Sequence, residues 1–355
     1  MGGTAEHSKT KIEVKHNMHK RFIFPVGQGG FAGEIIGNFT VVFDCGSVSS
    51  TSMVESCIDR VCRDVNQVDL LFVSHFDNDH VNGIRYLLSY VKVKKAVVSW
   101  IPQELKAAYS VYTNGAYTAI MGLLRNNDVG VEEIGDGERD EKIFNTQDIW
   151  EWIAKSMMTT VEFGRITSKM QTMGMDVPRL TTDPYYLENE KENINAAFKD
   201  EFGAKGPNAK GLIMLSQRCT AVPNRATEIR RGYLWNYRPW NIMGILDETS
   251  CLYVGDADLK NKANKQIIKD FLDNHRREPM LLMMQIPHHG SQYNIGVQFE
   301  TDFPARYYFV NDVDTKRLQK NVNLFKSLTC QNKLIVSRGL CQDLIVTETE
   351  IRYDE

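Results

Sequence analysis

The sequence of 355 residues predicts an α/β protein with mixed sheets. Short apolar runs typical of buried strands alternate with segments of helical spacing, and two neighbouring runs, Phe31–Ile36 and Phe39–Phe43, have the spacing of a hairpin. The composition, 42% hydrophobic and 25% charged, is that of a packed chain rather than of a disordered or low-complexity one. Because no repeat or linker divides the sequence, we predict a single domain over residues 1–355.

The first third of the chain is predicted to form strands separated by two helices. Val68–Ser74 is almost wholly apolar, as expected of a strand that is covered on both faces. In chain order, the predicted elements are a strand at Arg21–Val26, the two hairpin strands, a helix at Ser52–Val61, the strand Val68–Ser74, a helix at Val81–Tyr90 and a strand at Lys95–Trp100.

The middle of the chain, from about residue 102 to 208, has Met, Tyr, Glu and Lys at helical spacings and is predicted to be an inserted helical cap. Within it, Gln147–Met158 and Asn195–Phe202 are predicted helices. On such a helix Trp150 and Trp152 would lie roughly 200° apart and form no single aromatic stripe. The strands predicted after the cap are Gly211–Ser216, Cys251–Val254, Met280–Ile286, Arg306–Val310, Lys333–Val336 and Leu344–Glu348.

Charge and cysteine content restrict the function classes. The 42 Lys and Arg against 45 Asp and Glu give a formal charge of −3, which argues against a general nucleic-acid coat but allows a local basic site. No apolar stretch approaches the roughly 18–20 residues that span a bilayer, and the N-terminus lacks the apolar core of a signal peptide. Seven cysteines without paired C-x-x-C motifs indicate reduced thiols, so we predict a cytoplasmic protein with no membrane partner.

The most informative segment is Ser74–His80, which follows a predicted buried strand. His75, Asp77, Asp79 and His80 place four metal-capable side chains within six residues, and a chain that turns sharply after the strand can aim them into one pocket. An isolated His–Asp pair is usually a surface ion pair or a satisfied core contact. Here, however, further clusters occur in the same position relative to other strands.

Two more clusters follow the strands predicted at Cys251–Val254 and Met280–Ile286. The first contains Asp256, and the second contains the adjacent residues His288 and His289. Imidazoles and carboxylates without thiolates suit Zn²⁺, Mn²⁺ or Fe²⁺. Six or seven ligands exceed the needs of one tetrahedral ion, so the residues predict two divalent ions, Zn²⁺ or Mn²⁺, and metal-assisted hydrolysis.

These motifs resemble the metallo-β-lactamase superfamily, and most closely the branch found in the competence protein ComEC and its free-standing relatives. That branch has a V-G-Q-G strand end, a D-x-G, an H-x-D-x-D-H-x-x-G, a G-D and an H-H-G-S, in this order. The corresponding segments here are Val26–Gly29, Asp44–Gly46, His75–Gly83, Gly255–Asp256 and His288–Ser291.

The resemblance implies an αββα metallo-β-lactamase sandwich with metals at the edge of the sheets, and it implies roles for the matching residues. Asp79 would be both a ligand and the general base, with Asp77 as the second catalytic carboxylate. His289 is favoured over His288 as the ligand, and Asp44 would orient the ligands. The implied metal ligands are His75, Asp77, Asp79, His80, Asp256 and one of His288 and His289.

The sequence departs from the family pattern at one expected ligand. Many members of the superfamily have a further histidine between the second and fourth motifs, whereas this chain has none between His80 and His275. The site expected from His75, Asp77 and Asp256 therefore lacks a ligand, which predicts weak binding, a preference for Mn²⁺, or a ligand contributed by the cap.

Cations and aromatic residues alternate between Arg230 and Trp240, ahead of the Asp256 motif. This pattern suits a platform on which bases stack and guanidinium groups bind phosphate, and it equally suits an amphipathic hairpin. Ser291 is a candidate phosphate donor, although capping of the following turn is the more common role for such a serine. The candidate substrate-binding residues are Ser291, Arg230, Arg231, Trp235 and Arg238.

The sequence thus predicts a metal-dependent hydrolase, in the first place a phosphodiesterase or nuclease that attacks nucleic acid or a nucleotide through a metal-activated hydroxide. An ester, lactone or amide hydrolase with the same metal site is the alternative enzyme. A degenerate, non-catalytic binding or regulatory module is the alternative from another class, and the missing histidine favours it. The pattern is compatible with a partner protein and does not define the oligomeric state.

Overall fold

The computed structural model describes residues 12–13, 19–62, 65–137, 140–146, 149–203, 206–219, 225–232, 241–245, 248–311, 322–331, 334–337, 343–350 and 352–353. The strands are β1 (Ile12–Glu13), β2 (His19–Ile23), β3 (Phe31–Ile36), β4 (Phe39–Cys45), β5 (Gln67–Phe72), β6 (Lys92–Ser99), β7 (Gly130–Ile134), β8 (Glu141–Thr146), β9 (Trp150–Ser156), β10 (Leu212–Arg218), β11 (Arg225–Gly232), β12 (Asn241–Ile245), β13 (Cys251–Tyr253), β14 (Leu281–Gln285), β15 (Ala305–Asn311), β16 (Leu334–Ser337), β17 (Asp343–Glu350) and β18 (Arg352–Tyr353). The helices are α1 (Thr51–Cys62), α2 (Asn78–Val81), α3 (Ile84–Tyr90), α4 (Lys106–Tyr112), α5 (Ala116–Asn126), α6 (Thr160–Thr172), α7 (Val177–Thr182), α8 (Pro184–Asn189), α9 (Lys191–Phe202), α10 (Lys262–His275), α11 (Phe299–Asp302) and α12 (Val322–Cys330).

Two large sheets pack face to face. One has the strand order β12-β11-β17-β2-β3-β4-β5-β6-β7, and the other has the order β16-β15-β14-β13-β10-β9-β8. Buried side chains of both sheets, such as Phe43 and Phe72 from the first and Trp152 and Tyr253 from the second, form the central core. A second core packs α1, α3, α5, α6 and α9 on the outer face of the first sheet, and a third packs α10, α11 and α12 on the outer face of the second. The fold is therefore an αββα sandwich, as predicted.

Each sheet contains a parallel section, and the predicted motifs lie at its carboxyl ends. In the first sheet β4, β5, β6 and β7 run parallel, and in the second β13, β14, β15 and β16 do so. The predicted hairpin is present as the antiparallel pair β3 and β4. The strongly apolar sequences of β5 and β14 reflect burial on both faces, which is why their positions could be predicted closely.

The helix predicted at Gln147–Met158 is wrong, because Trp150–Ser156 is a strand that pairs antiparallel with both β8 and β10. Glu, Ala and Lys in this segment favour helix, but pairing with two neighbouring strands outweighs that weak preference. In a strand, residues two apart share a face. Trp150 and Trp152 consequently both point into the central core, where each is 0–1% exposed.

The block from 102 to 208 is helical in two parts rather than throughout. Helices occupy much of residues 103–126 and 160–202, and the predicted helix Asn195–Phe202 is confirmed within α9. Between these parts, β7 joins the first sheet and β8 and β9 join the second. In the part of the chain described above, no helix has the length and apolar character needed to cross a bilayer.

Candidate metal centre

The three predicted clusters converge at the carboxyl ends of β5, β13 and β14, where the two sheets face one another. Gly255 brings the end of β13 against the end of β5. Its φ is +51°, and a Cβ at this position would lie 2.8 Å from Cβ of Ser74. Only glycine fits both this backbone conformation and this close approach. The turn after β14 places two consecutive residues, His288 and His289, in the left-handed region, with φ of +49° and +51°.

Two overlapping groups of side chains present metal-capable atoms within 4.8 Å of one another. The first contains the buried residues His75, His80 and Asp256, and the second contains Asp79, His80 and His289. In the first group, His80 Nε2 is 3.3 Å from Asp256 Oδ1 and His75 Nε2 is 3.8 Å from Asp256 Oδ2. In the second, His289 Nε2 is 3.2 Å from Asp79 Oδ2. The structure therefore brings together five of the seven predicted ligands.

The remaining two predicted ligands, Asp77 and His288, lie at the rim. Asp77 Oδ2 is 4.0 Å from His75 Nε2, and the side chain is 41% exposed. His288 Nε2 is 3.8 Å from Asp256 Oδ2, and its side chain is 34% exposed, whereas His289 is buried. His289 thus faces the centre and His288 lies at its rim, while the choice of His289 as the ligand stays a prediction.

The ring orientation of the three buried histidines is set by bonds to their Nδ1 atoms. The N–H at Nδ1 of His80 donates to Asp44 Oδ2 at 2.8 Å, and that of His289 donates to the Asn311 carbonyl at 3.0 Å. Ser74 Oγ gives its only proton to Asp44, so it accepts from Nδ1 of His75 at 2.9 Å. All three rings therefore turn Nε2 toward the centre, which is the orientation that a metal-ligating histidine needs.

The atoms that face the centre fit a divalent cation. Nε2 of His75, Nε2 of His80 and Oδ1 of Asp256 are buried and have no hydrogen-bond partner among the described residues. His80 Nε2 and Asp256 Oδ1 lie 3.3 Å apart, close enough to attract one another. Buried polar atoms are nearly always satisfied, so three unsatisfied atoms in one place indicate that an absent ligand satisfies them.

The electrostatics of the centre also favour a cation. Burial alone lowers the pKa of His80, but the carboxylates of Asp256 and Asp44 outweigh this effect and raise the pKa well above its usual value. Burial raises the pKa of Asp256, yet the charge of His80 holds that pKa well below its ordinary range. For Asp79, burial is outweighed by the hydrogen bond from His289, which lowers the pKa to about 2. Positive charge is thus stabilised at the point where the carboxylates meet.

Sequence reasoning missed several residues that shape this centre. A Cβ on Gly30 would lie 2.5 Å from Nδ1 of His80 and 2.9 Å from Oδ2 of Asp44, so position 30 must lack a side chain. Ser74 bridges Asp44 and His75, and Asn208 donates from Nδ2 to Asp77 Oδ2 at 2.5 Å. Gly30 directly follows the Val26–Gly29 motif and Ser74 directly precedes the motif that begins at His75, whereas Asn208 has no motif around it.

The predicted substrate-binding residues are largely outside the described part of the chain. This holds for Trp235, Arg238 and the side chains of Arg230 and Arg231. The strand that carries the two arginines, β11, is separated by three strands of its sheet from β4, the strand whose Phe43 packs on Tyr253 of β13. Closeness in sequence to Asp256, which follows β13, therefore does not mean closeness in space. Ser291 Oγ accepts from the N–H of Tyr293 at 3.3 Å, which is the turn-capping role.

The layers and the buried donor atoms define an αββα protein with a candidate metal centre at the carboxyl ends of its parallel strands. The family model described as the metallo-beta-lactamase superfamily matches residues 30–144, which include His75, Asp77, Asp79 and His80. Residues 30–144 are thus similar to the metallo-beta-lactamase superfamily, whose members are in general hydrolases.

Individual proteins resemble parts or all of the chain. Cleavage and polyadenylation specificity factor subunit 3 of Dictyostelium discoideum is 29% identical over 114 residues, which are 30% of this chain and 14% of that protein. Among solved structures, the CmlA beta-hydroxylase E377D mutant has a TM-score of 0.43 and 9% identity over 93% of this chain and 54% of its own. A diphosphatase from the PhnP family has a TM-score of 0.42 and 8% identity over 93% of this chain and 98% of its own.

Proposed function

We propose that this chain is a phosphodiesterase that uses two divalent ions, Zn²⁺ or Mn²⁺, to hydrolyse nucleic acid or a nucleotide. The observation that carries the proposal is the set of buried, unpartnered atoms on His75, His80 and Asp256. Each such atom costs about 1–3 kcal/mol if it stays unsatisfied, so a cluster of three favours a ligand-binding role over a structural one.

The residues that would hold the ions are those whose donor atoms face the centre, with two further candidates at its rim. Bound in this way, a pair of divalent ions lowers the pKa of a coordinated water and neutralises charge on a phosphoryl group. The proposed ligands are His75, Asp77, Asp79, His80, Asp256 and His289, and His288 is proposed as a contact to substrate.

The chain's own residues have separate tasks in this proposal. Asp79 stays ionised at neutral pH, so it can accept a proton or orient a nucleophile. Asp44 fixes the ring of His80 and keeps its Nε2 pointed inward. Asp77 is partly exposed at the rim of the centre, where its carboxylate can contact a substrate that enters.

Three observations support the finer parts of the proposal. The curated relative is named for cleavage and polyadenylation, which favours nucleic acid as the substrate class, although the match covers only 14% of that protein. The motif order favours the ComEC-type branch. The five described cysteines form no disulfide, which supports the cytoplasm as the compartment. Substrate contacts by Ser291, Arg230, Arg231, Trp235 and Arg238 remain predictions.

The proposal is tested by measuring metal content and hydrolysis of bis-p-nitrophenyl phosphate with added Mn²⁺ or Zn²⁺. We expect about two ions per chain and metal-dependent turnover. The variants Asp79→Ala and His80→Ala should lose at least about 100-fold in activity. His275→Ala is the matched control. This histidine, the last residue of α10, pairs with Glu141 of β8 outside the centre, so its replacement should leave activity unchanged.

Other outcomes would replace the proposal. Bound metal with hydrolysis of esters or lactones but not of phosphodiesters would favour the alternative enzyme. If the purified chain contains no metal and hydrolyses no substrate, a non-catalytic binding module would be the favoured function. Activity that falls steeply with added salt would support a polyanionic substrate, whereas indifference to salt would argue for a small one.

A further inference from the structure

We propose that the Asn208 side chain completes the metal site formed by His75, Asp77 and Asp256, with its amide nitrogen holding Asp77 and its amide oxygen serving as a neutral ligand. This inference rests on the metal centre proposed above. It answers the question raised by the absence of a histidine between His80 and His275.

Asn208 is positioned by a short turn that packs against the metal motif. The turn spans Pro207–Lys210 as a 3-10 helix and leads directly into β10. A Cβ on Gly211 would lie 2.3 Å from the Ser74 carbonyl and 3.5 Å from Cβ of His75, so the chain must pass the end of β5 at close range. Leu212 N–H also donates to the Ser74 carbonyl at 2.7 Å.

The turn is fixed from its other side by the loop that follows Asp256. The carbonyl of Ala209 accepts from Asp258 N–H at 3.2 Å and from Asn264 Nδ2 at 3.1 Å. At Gly206, φ is +63°, and a Cβ would lie 1.7 Å from the Tyr112 hydroxyl of the cap. Asn208 is therefore held in place between the cap and two of the metal motifs.

The chemistry of the contact decides how the amide is oriented. Asn208 Nδ2 is 2.5 Å from Asp77 Oδ2, and an ionised carboxylate only accepts hydrogen bonds, so the NH₂ group must face Asp77. The Asn208 Oδ1 atom is buried and has no hydrogen-bond partner among the residues that the structure describes. An unsatisfied amide oxygen beside Asp77 points to a cation, because a carbonyl oxygen is a suitable ligand for one.

This ligand changes the expected metal preference. A site with one imidazole, two carboxylates and an amide oxygen is richer in oxygen than one with a second imidazole. Such a set favours Mn²⁺ relative to Zn²⁺. The other group, with Asp79, His80 and His289, has two imidazoles and is expected to keep its affinity for Zn²⁺.

The test is a titration of the metal-free chain with Mn²⁺, in which electron paramagnetic resonance counts the free ion. In Asn208→Ala the weaker of the two binding events should lose affinity by roughly 10–100-fold, while the tighter one is unchanged. Asn193→Ala, on helix α9 with an exposed contact to Glu190, is the control and should bind both ions as wild type does.

A second variant separates ligation from a structural role. Asn208→Asp puts a second carboxylate against Asp77, so the metal-free variant should melt at a lower temperature than wild type. If Asn208 is a ligand, added Mn²⁺ should raise this melting temperature by more than it raises that of wild type. If the side chain only supports the turn, the increase should equal that of wild type, and the inference is overturned.

The outcomes also distinguish this inference from the proposed function. Failure of the wild-type chain to bind any ion would overturn the metal centre itself. Two ions bound with equal affinity by wild type and Asn208→Ala would overturn only the role of Asn208.

Discussion

Two buried clusters in this molecule each place a carboxylate beside histidine, yet they differ in whether the carboxylate oxygens are satisfied. At the metal centre, Asp256 lies beside His80 and His75, and its Oδ1 has no donor among the described residues. In the central core, Glu34 lies beside His19 and Arg21 and is 1% exposed. Both clusters thus combine a buried carboxylate with a nearby histidine.

Both carboxylate oxygens of Glu34 accept hydrogen bonds from neighbouring side chains. Oε1 of Glu34 accepts from Nε of Arg21 at 2.7 Å and from the Tyr253 hydroxyl at 2.8 Å. Oε2 accepts from Nε1 of Trp152 at 2.9 Å and from Oγ of Ser216 at 2.5 Å. With two donors on each oxygen, the carboxylate has no capacity left for a ligand. The comparison shows that the number of donors on the carboxylate, rather than the presence of histidine beside it, distinguishes these two clusters.

The largest change in stability is expected from Glu34→Gln. Gln keeps the size of the side chain but leaves Arg21 buried without its counter-charge, so we expect a loss of about 3–5 kcal/mol in the free energy of unfolding. Metal content per folded chain should equal that of wild type. Glu133→Gln, which breaks a partly exposed pair with Lys106, should change stability by less than about 0.5 kcal/mol.

Lowering the pH should weaken the interaction between Glu34 and Arg21 without any mutation. Burial raises the pKa of Glu34, but the charge of Arg21 and the contacts of His19 and Ser216 hold it well below its usual range. A carboxylate with a lowered pKa stabilises the folded state above its unfolded pKa, about 4.3, and this contribution is lost as the pH falls toward the folded pKa. Urea unfolding below about pH 4.3 should therefore show a steeper loss of stability in wild type than in Glu34→Gln. Equal slopes would mean that Glu34 is not the ionised partner of Arg21.

The next largest effect is expected at Asp44, a buried carboxylate that contacts the proposed ligand His80. Asp44 has φ of +54°, a conformation that Asn adopts readily, so Asp44→Asn should fold. The variant removes the charge that holds Nδ1 of His80, and metal affinity should fall roughly 10–100-fold, or about 1.4–2.8 kcal/mol. Competition against a chromophoric chelator measures this change.

Asp69→Asn provides the matched control for Asp44→Asn. Asp69 is 6% exposed on the same sheet, but it accepts from Thr40 N–H rather than contacting a predicted ligand. Its replacement should leave metal affinity unchanged. A comparable loss of affinity in both variants would indicate general loosening of the sheet rather than orientation of His80.

Much of this architecture could be predicted from the sequence because its signals are local. The strongly apolar sequences of β5 and β14 indicate buried strands, and the chemistry-bearing residues follow these strands directly. The strand β9 could not be predicted, because its conformation depends on pairing with β10, more than fifty residues away. The position of Asn208 in the site could not be predicted for the same reason, because its contact with Asp77 joins residues 131 positions apart. What the sequence alone cannot supply is which polar atoms remain unsatisfied after these distant contacts form.

The smallest effect uses the two tryptophans of β9, which differ chiefly in what they donate to. Nε1 of Trp152 donates to the Glu34 carboxylate, whereas Nε1 of Trp150 donates to the neutral Ser216 hydroxyl at 2.8 Å. Hydrogen bonds to charged groups contribute about 1.5–3 kcal/mol, and those between neutral groups about 0.5–1.5 kcal/mol. Trp152→Phe should therefore destabilise the protein by about 1 kcal/mol more than Trp150→Phe, as measured by urea unfolding at neutral pH. Because both rings are buried in the same core, the loss of ring volume largely cancels between the two variants. Equal destabilisation would mean that the other three donors satisfy the Glu34 carboxylate without the indole N–H of Trp152.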